Sequence, residues 1–132
     1  MPNVLMICTG NTCRSPLAQV LLKKQHPDWE VLSAGVMADV GSPAATHSRE
    51  LARQLGMDLE AHRAQNVTSQ LVDWADQIFC MTQAHLQSLI RTFPQAAPKA
   101  RTLGADISDP VGQSMAAYQR CAEQLAEALR EI

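Results

Sequence analysis

Apolar residues follow two rhythms along this chain. Val4-Leu5-Met6-Ile7 is a short unbroken apolar run ending in a turn-rich stretch, the pattern of a parallel strand buried on both faces. Ser15-Pro16 comes next, and proline fits a first helical turn because its missing N–H would have no partner there. Leu17, Val20, Leu21 and Lys24 then recur at helical spacing until His26-Pro27 ends the segment. The pattern predicts a second strand over residues 29–34, closed by Gly35. Ser42-Pro43 predicts the start of a second helix by the same device. Ala44, Ser48, Leu51 and Leu55 line one of its faces, and Gly56 stands where a glycine follows a helix end.

A third helix is expected over 68–75, a third strand over 77–81, and a fourth helix capped by Thr82 and running to Arg91. Residues 94–98 read as a loop and 101–103 as a short fourth strand. The last helix is the clearest. Met115, Tyr118, Ala122, Leu125, Leu129 and Ile132 recur at alternating steps of three and four, which puts Met115 and Tyr118 on a core-facing stripe. Strands alternating with helices imply an α/β fold with a parallel sheet covered on both faces. No repeat, linker or low-complexity segment interrupts residues 1–132, so one domain is expected. Ligands of such sheets bind beyond the carboxyl ends of the strands, and Cys8 lies at the carboxyl end of the first.

Composition narrows the partners. The 132 residues carry a net charge of −2, which supplies no basic field for nucleic acid or an anionic membrane. No apolar run approaches the ~18 residues a bilayer span needs. The apolar start lacks a basic leader and runs straight into Cys8, so a cytoplasmic protein is expected. Four cysteines in such a chain read as thiols and not as a disulfide framework. Without a Cys-x-x-Cys pair or paired histidines, no metal site is expected.

The stretch Cys8-Thr9-Gly10-Asn11-Thr12-Cys13-Arg14-Ser15 joins the first strand to the first helix. Successive N–H groups of such a loop converge with the helix N-terminus into a concave anion site. Gly10 and Asn11 tolerate the left-handed backbone that a cradle requires. No lysine stands where a nucleotide-binding loop needs one. Loop dipoles and Arg14 favour the thiolate of a cysteine held there, and Ser15 can donate a further hydrogen bond to its sulfur. The Arg14 fork matches two phosphoryl oxygens. A nucleophile, an anion clamp and a dipole thus share one loop.

A departing group needs a proton. Asp106 and Asp109 both lie in the loop after the fourth expected strand, on the same sheet edge as Cys8, and spacing does not choose between them. Cys13 is either a redox partner for Cys8 or a small filler beneath the loop. Cys80 and Cys121 read as core thiols. His62 and His85 are candidates for hydrogen bonds that hold the loop or a helix end, outside the catalytic set.

With these residues in place, the chain resembles the low-molecular-weight phosphatase family over its whole length. The resemblance rests on the run from Cys8 through Pro16, on Ser33-Ala34-Gly35, on the stretch from Gly56 to His62, on Met81-Thr82 and on Asp109-Pro110. It implies a three-layer domain with a four-stranded parallel sheet, and a phosphate-binding loop of Thr9, Gly10, Asn11, Thr12, Cys13, Arg14 and Ser15. It also implies a phosphocysteine intermediate on Cys8, Arg14 binding phosphate and Asp109 acting as acid and then base, which selects Asp109 over Asp106. Substrates would be phosphorylated proteins and the product inorganic phosphate, with no cofactor.

Two positions bear on the substrate. Tyrosine phosphatases of the family usually have a bulky aliphatic residue at Thr12 and aromatic residues after Asp-Pro. This chain has Thr12 and then Val111-Gly112-Gln113-Ser114, which looks like the bacterial protein-arginine phosphatases, although those commonly have an aromatic where Val111 stands. Without the aromatic pair, a phenyl ring loses its stacking walls. Phosphoarginine is therefore the favoured substrate and phosphotyrosine the alternative. Arsenate reductases share the loop but need further cysteines close together. A module that only captures phosphorylated partners has no need of a thiolate.

Overall fold

The side chains of the first strand divide between two cores, and the rest of the fold is built on that division. A computed structural model describes residues 2–132. In β1 (Asn3–Cys8), Val4, Met6 and Cys8 belong to one apolar cluster and Leu5 and Ile7 to the other, the period-two alternation of a strand covered on both faces. On the first face lie α1 (Arg14–Gln25), α2 (Thr46–Gln54) and α5 (Met115–Leu129), packed through Leu17, Leu22, Leu51, Tyr118 and Leu125. On the second lie α3 (Ser69–Trp74) and α4 (Gln83–Thr92), packed through Val72 and Leu89.

The sheet has four strands in the order β2-β1-β3-β4, all parallel, with β2 over Glu30–Gly35, β3 over Gln77–Cys80 and β4 over Ala100–Thr102. The expected α/β architecture is the one observed. From the central pair, β1 crosses to β2 on one side and β3 to β4 on the other. The loops leaving β1 and β3 therefore part at their carboxyl ends and leave a crevice there. Cys8 is the last residue of β1, in register with Gly35 of β2.

Most elements lie within a residue of the expected bounds, but some differ from the sequence reading in ways that have a physical reason. Helix α2 begins at Thr46, not at Ser42-Pro43. The segment before it is extended because its backbone groups pair elsewhere: Gly41 N–H donates to the Ala64 carbonyl, Ala64 N–H returns to Ser42, and Pro43 bridges Arg63. Leu55, expected on the buried face, caps α2 and is 39% exposed, while Gly56 takes the expected left-handed conformation at φ 79°. Residues Pro94–Lys99 form a 3₁₀ helix where a loop was expected, and β4 starts one residue early at Ala100. Helix α1 opens at Arg14, one residue before the Ser15-Pro16 signal. Among the described residues no helix is long and apolar enough to cross a membrane.

Gly35 binds β2 to the loop after β1. Val36 N–H donates to the Cys8 carbonyl and Met37 N–H to that of Thr9, both at 2.9 Å, and these bonds draw the two chains together. A β-carbon on Gly35 would overlap the Thr9 carbonyl. Gly35→Ala should therefore lower unfolding stability by about 1–3 kcal/mol, the usual cost of overpacking. A denaturant midpoint equal to that of the parent would show that the loop yields freely.

Candidate active site

The loop that follows β1 is organised around one buried side chain. Asn11 is fully buried, and it is the one non-glycine residue with positive φ (58°) among the described residues. Its Oδ1 accepts from the Gln65 backbone N–H at 3.0 Å, so the other terminal atom must be the amino group. That group donates to Ser15 Oγ and to Ser33 Oγ, each at 2.9 Å. The Asn11 carbonyl accepts from His62 Nε2 at 2.7 Å, which fixes the tautomer of that ring. Burial lowers the pKa of His62 and keeps it neutral. Ser33 then donates to Gln19 Oε1 at 2.6 Å.

Two groups of this network reach the sulfur of Cys8. The Ser15 hydroxyl already accepts from Asn11, and its hydrogen is free to donate to Cys8 Sγ at 2.8 Å. Asn11 N–H donates to the same sulfur at 3.3 Å. Asn11 N–H and the Ser15 hydroxyl thus both reach the sulfur of a residue that is only 2% exposed.

Arg14 is 5% exposed and held in place by its neighbours. Nη1 donates to the Ile107 carbonyl at 3.0 Å and Nη2 to Thr9 Oγ1 at 3.4 Å, and Nη2 stands 3.5 Å from Asp109 Oδ2. Asp109 in turn accepts at Oδ1 from Val111 N–H (3.1 Å), and its carboxylate is 45% exposed. Asp106 is occupied differently: its Oδ1 caps α4 by accepting from Gln83 N–H at 2.9 Å. Gln124 of α5 holds the loop between these acids, accepting from Ser108 N–H and donating to the Asp106 carbonyl.

The result is a cleft of about 160 Å³ lined by Cys8, Thr9, Gly10, Thr12, Cys13, Arg14, Asp109 and Val111. A larger hollow of about 500 Å³ lies behind Asp109 against α5, but it holds neither Cys8 nor Arg14. The smaller cleft combines a nucleophile, a fixed cation and a carboxyl group, which is the equipment for transfer of an anionic group.

A family model described as low molecular weight phosphotyrosine protein phosphatase matches residues 3–132. The chain belongs to this family. A protein-arginine-phosphatase from Geobacillus stearothermophilus is 38% identical over 130 residues, spanning 92% of this chain and 87% of the relative. A probable low molecular weight protein-tyrosine-phosphatase, EpsP of Ralstonia nicotianae, is 36% identical over 126 residues with the same two coverages. Among solved structures, the YwlE arginine phosphatase from Geobacillus stearothermophilus superposes with a TM-score of 0.93 at 36% identity, covering 98% of this chain and 88% of that one. Relatives of both names are hydrolases, and so is this phosphatase.

The other three cysteines of the phosphatase are built differently from Cys8. Cys13 packs beneath the loop with its Sγ 3.3 Å from Tyr118 Oη, and burial pushes its pKa up. Cys80 and Cys121 lie in the two separate clusters, on opposite faces of the sheet, and burial pushes each up to about 12. They are core thiols, as expected, and cannot meet. His62 and His85 both hold the loop, the latter through Thr9 Oγ1 at 2.7 Å. Ser33, Gln65 and Gln124 were missed. Only the Ser33-Ala34-Gly35 element carried a signal, and it was read for its glycine.

The two jobs of Asn11 can be separated. Asn11→Gly keeps the backbone conformation and loses the side-chain bonds, whereas Asn11→Ala loses both. Both variants should lose most phosphatase activity. The alanine form should be less stable than the glycine form by about 1–2 kcal/mol, the cost of a left-handed residue bearing a β-carbon. Equal stabilities in thermal or urea unfolding would show that the loop relaxes to negative φ.

Proposed function

We propose that this phosphatase is a cysteine-dependent enzyme acting on phosphorylated side chains of cytoplasmic proteins, with phosphoarginine the favoured substrate. The observation that carries the mechanism is the pair of donors on Cys8 Sγ facing a cleft that also holds Arg14 and Asp109. Sγ attacks phosphorus, an S–P bond forms, and the P–N bond of phosphoarginine breaks. Asp109, in its acid form, delivers a proton to the departing guanidine nitrogen. Arg14 and the amides of residues 9–15 hold the three equatorial oxygens as charge gathers on them. Asp109, now a carboxylate, takes a proton from water. The water attacks phosphorus, the S–P bond breaks, and inorganic phosphate leaves a thiolate behind. No step calls on a cofactor, a metal or nucleic acid.

Three features support arginine over tyrosine. Thr12 places a hydroxyl at the cleft where an aliphatic wall would suit a phenyl ring. Val111, 59% exposed, stands at the rim, and none of the cleft-lining residues is aromatic. The relative at 38% identity carries the arginine name. Phosphotyrosine is the alternative, favoured by the relatives named for it. Arsenate reduction is disfavoured, because Cys80 and Cys121 lie on opposite sides of the sheet and neither lines the cleft.

Cys8→Ser should abolish turnover yet retain affinity for inorganic phosphate, because the amide cradle survives. Appreciable residual turnover would rule out the covalent route. Arg14→Lys should lose both affinity and rate, since a point charge cannot replace the bidentate fork.

Asp109→Asn should cost ~10²–10⁴-fold on phosphoarginine, the usual worth of proton transfer, and far less on an activated aryl phosphate whose leaving group departs unaided. Equal losses would make Asp109 a loop-positioning residue. Thr12→Ile should shift kcat/KM towards phosphotyrosine peptides, and an unchanged preference would remove the case for arginine.

A further inference from the structure

Thr9 stands between two nitrogens, and how its hydroxyl is shared between them decides what it offers the cleft. Its Oγ1 lies 3.4 Å from Arg14 Nη2 and 2.7 Å from His85 Nε2. A guanidinium only donates, so Arg14 takes one lone pair of the hydroxyl. If His85 Nε2 is bare, it takes the single Thr9 hydrogen and leaves a lone pair turned towards the cleft, where an anion would be repelled. If Nε2 carries the hydrogen, it fills the second lone pair and leaves the Thr9 O–H free to point outward.

The far side of the ring distinguishes the two. His85 is 6% exposed and its Nδ1 is buried without a partner. A buried N–H with no acceptor is rarer than an unmatched acceptor and forfeits a donor that water would have satisfied. The hydrogen therefore belongs on Nε2, where Thr9 accepts it. Burial, reinforced by Arg14, lowers the His85 pKa to about 4, so at neutral pH the ring carries one hydrogen and not two. The residue that carries the ring sits in the first turn of α4, where the His85 backbone N–H donates to Thr82 Oγ1 at 3.1 Å. Thr9 itself is exposed and lines the cleft with Cys8 and Arg14.

We propose that the Thr9 hydroxyl donates a hydrogen bond to the bound phosphoryl group, beyond the donors supplied by the loop amides and Arg14, and that His85 is the positioning residue that aims it. The proposal rests on the reading of this cleft as a phosphoryl site. It makes His85 functional through its tautomer and not through its charge.

Two measurements test it. NMR of the ring nitrogens in histidine-labelled, otherwise unaltered protein reads the tautomer directly. The Nε2–H form is expected at His85, and the Nδ1–H form would overturn the proposal. The second measurement is inhibition by inorganic phosphate. Thr9→Val and His85→Leu should each weaken it about tenfold, the scale of one charge-assisted hydrogen bond. The double variant should be no worse than either single one, and Thr9→Ser and His85→Gln should restore most of the affinity. Undiminished affinity in Thr9→Val would overturn the hydroxyl contact, and losses that multiply in the double variant would overturn the role of His85. Failure of inorganic phosphate to compete in the parent enzyme would instead overturn the phosphoryl-site reading, and this proposal with it.

Discussion

The site depends on one amide being buried in the only orientation its neighbours allow. Asn11 holds a left-handed backbone at φ 58°, and it can do so because its side chain is anchored at both ends. The Gln65 N–H fixes which end accepts. The donor end then holds Ser15, whose hydroxyl lies 2.8 Å from Cys8 Sγ. The sulfur's surroundings are thus tied, bond by bond, to a backbone group 54 positions along the chain. Asn11, Ser15 and Ser33 are buried, so water is a poor substitute for these partners.

The topology explains why so many distant residues reach one point. Cys8 ends the central strand, and the loops leaving β1 and β3 diverge on either side of the crevice. Arg14 opens α1, while Asp109 arrives on the connection from β4 to α5 and is carried inward by the Arg14 bond to the Ile107 carbonyl. Gln124 and Tyr118 of α5 then brace the acid loop and the cradle from the same helix. Asp109 and Arg14 are thus held by a common frame.

Much of this was legible because its chemistry is contiguous. The loop from Cys8 to Ser15 stands in one stretch, and its place after an apolar run announced a strand-to-helix turn. Asp109 was separable from Asp106 only by resemblance. In the structure Asp109 lines the cleft with Cys8, while Asp106 does not and its Oδ1 caps α4. The partners of Asn11 were hidden because Ser33 and Gln65 are ordinary polar residues whose meaning comes from tertiary contact. The start of α2 was misplaced for a related reason. Ser42-Pro43 has the local signature of a helix start, but its backbone groups are claimed by residues 63–64.

Burial of Arg14 has a consequence for encounter as well as for binding. The guanidinium is 5% exposed and already shared with the Ile107 carbonyl and Asp109, in a protein whose net charge is −2. Little positive field can escape such a site, and screening in physiological salt confines what does to about 8 Å. An anionic partner is therefore not drawn in from a distance, as it would be by an open basic surface. It must collide with the rim and meet the cation only after entering, so the on-rate should be nearly indifferent to ionic strength.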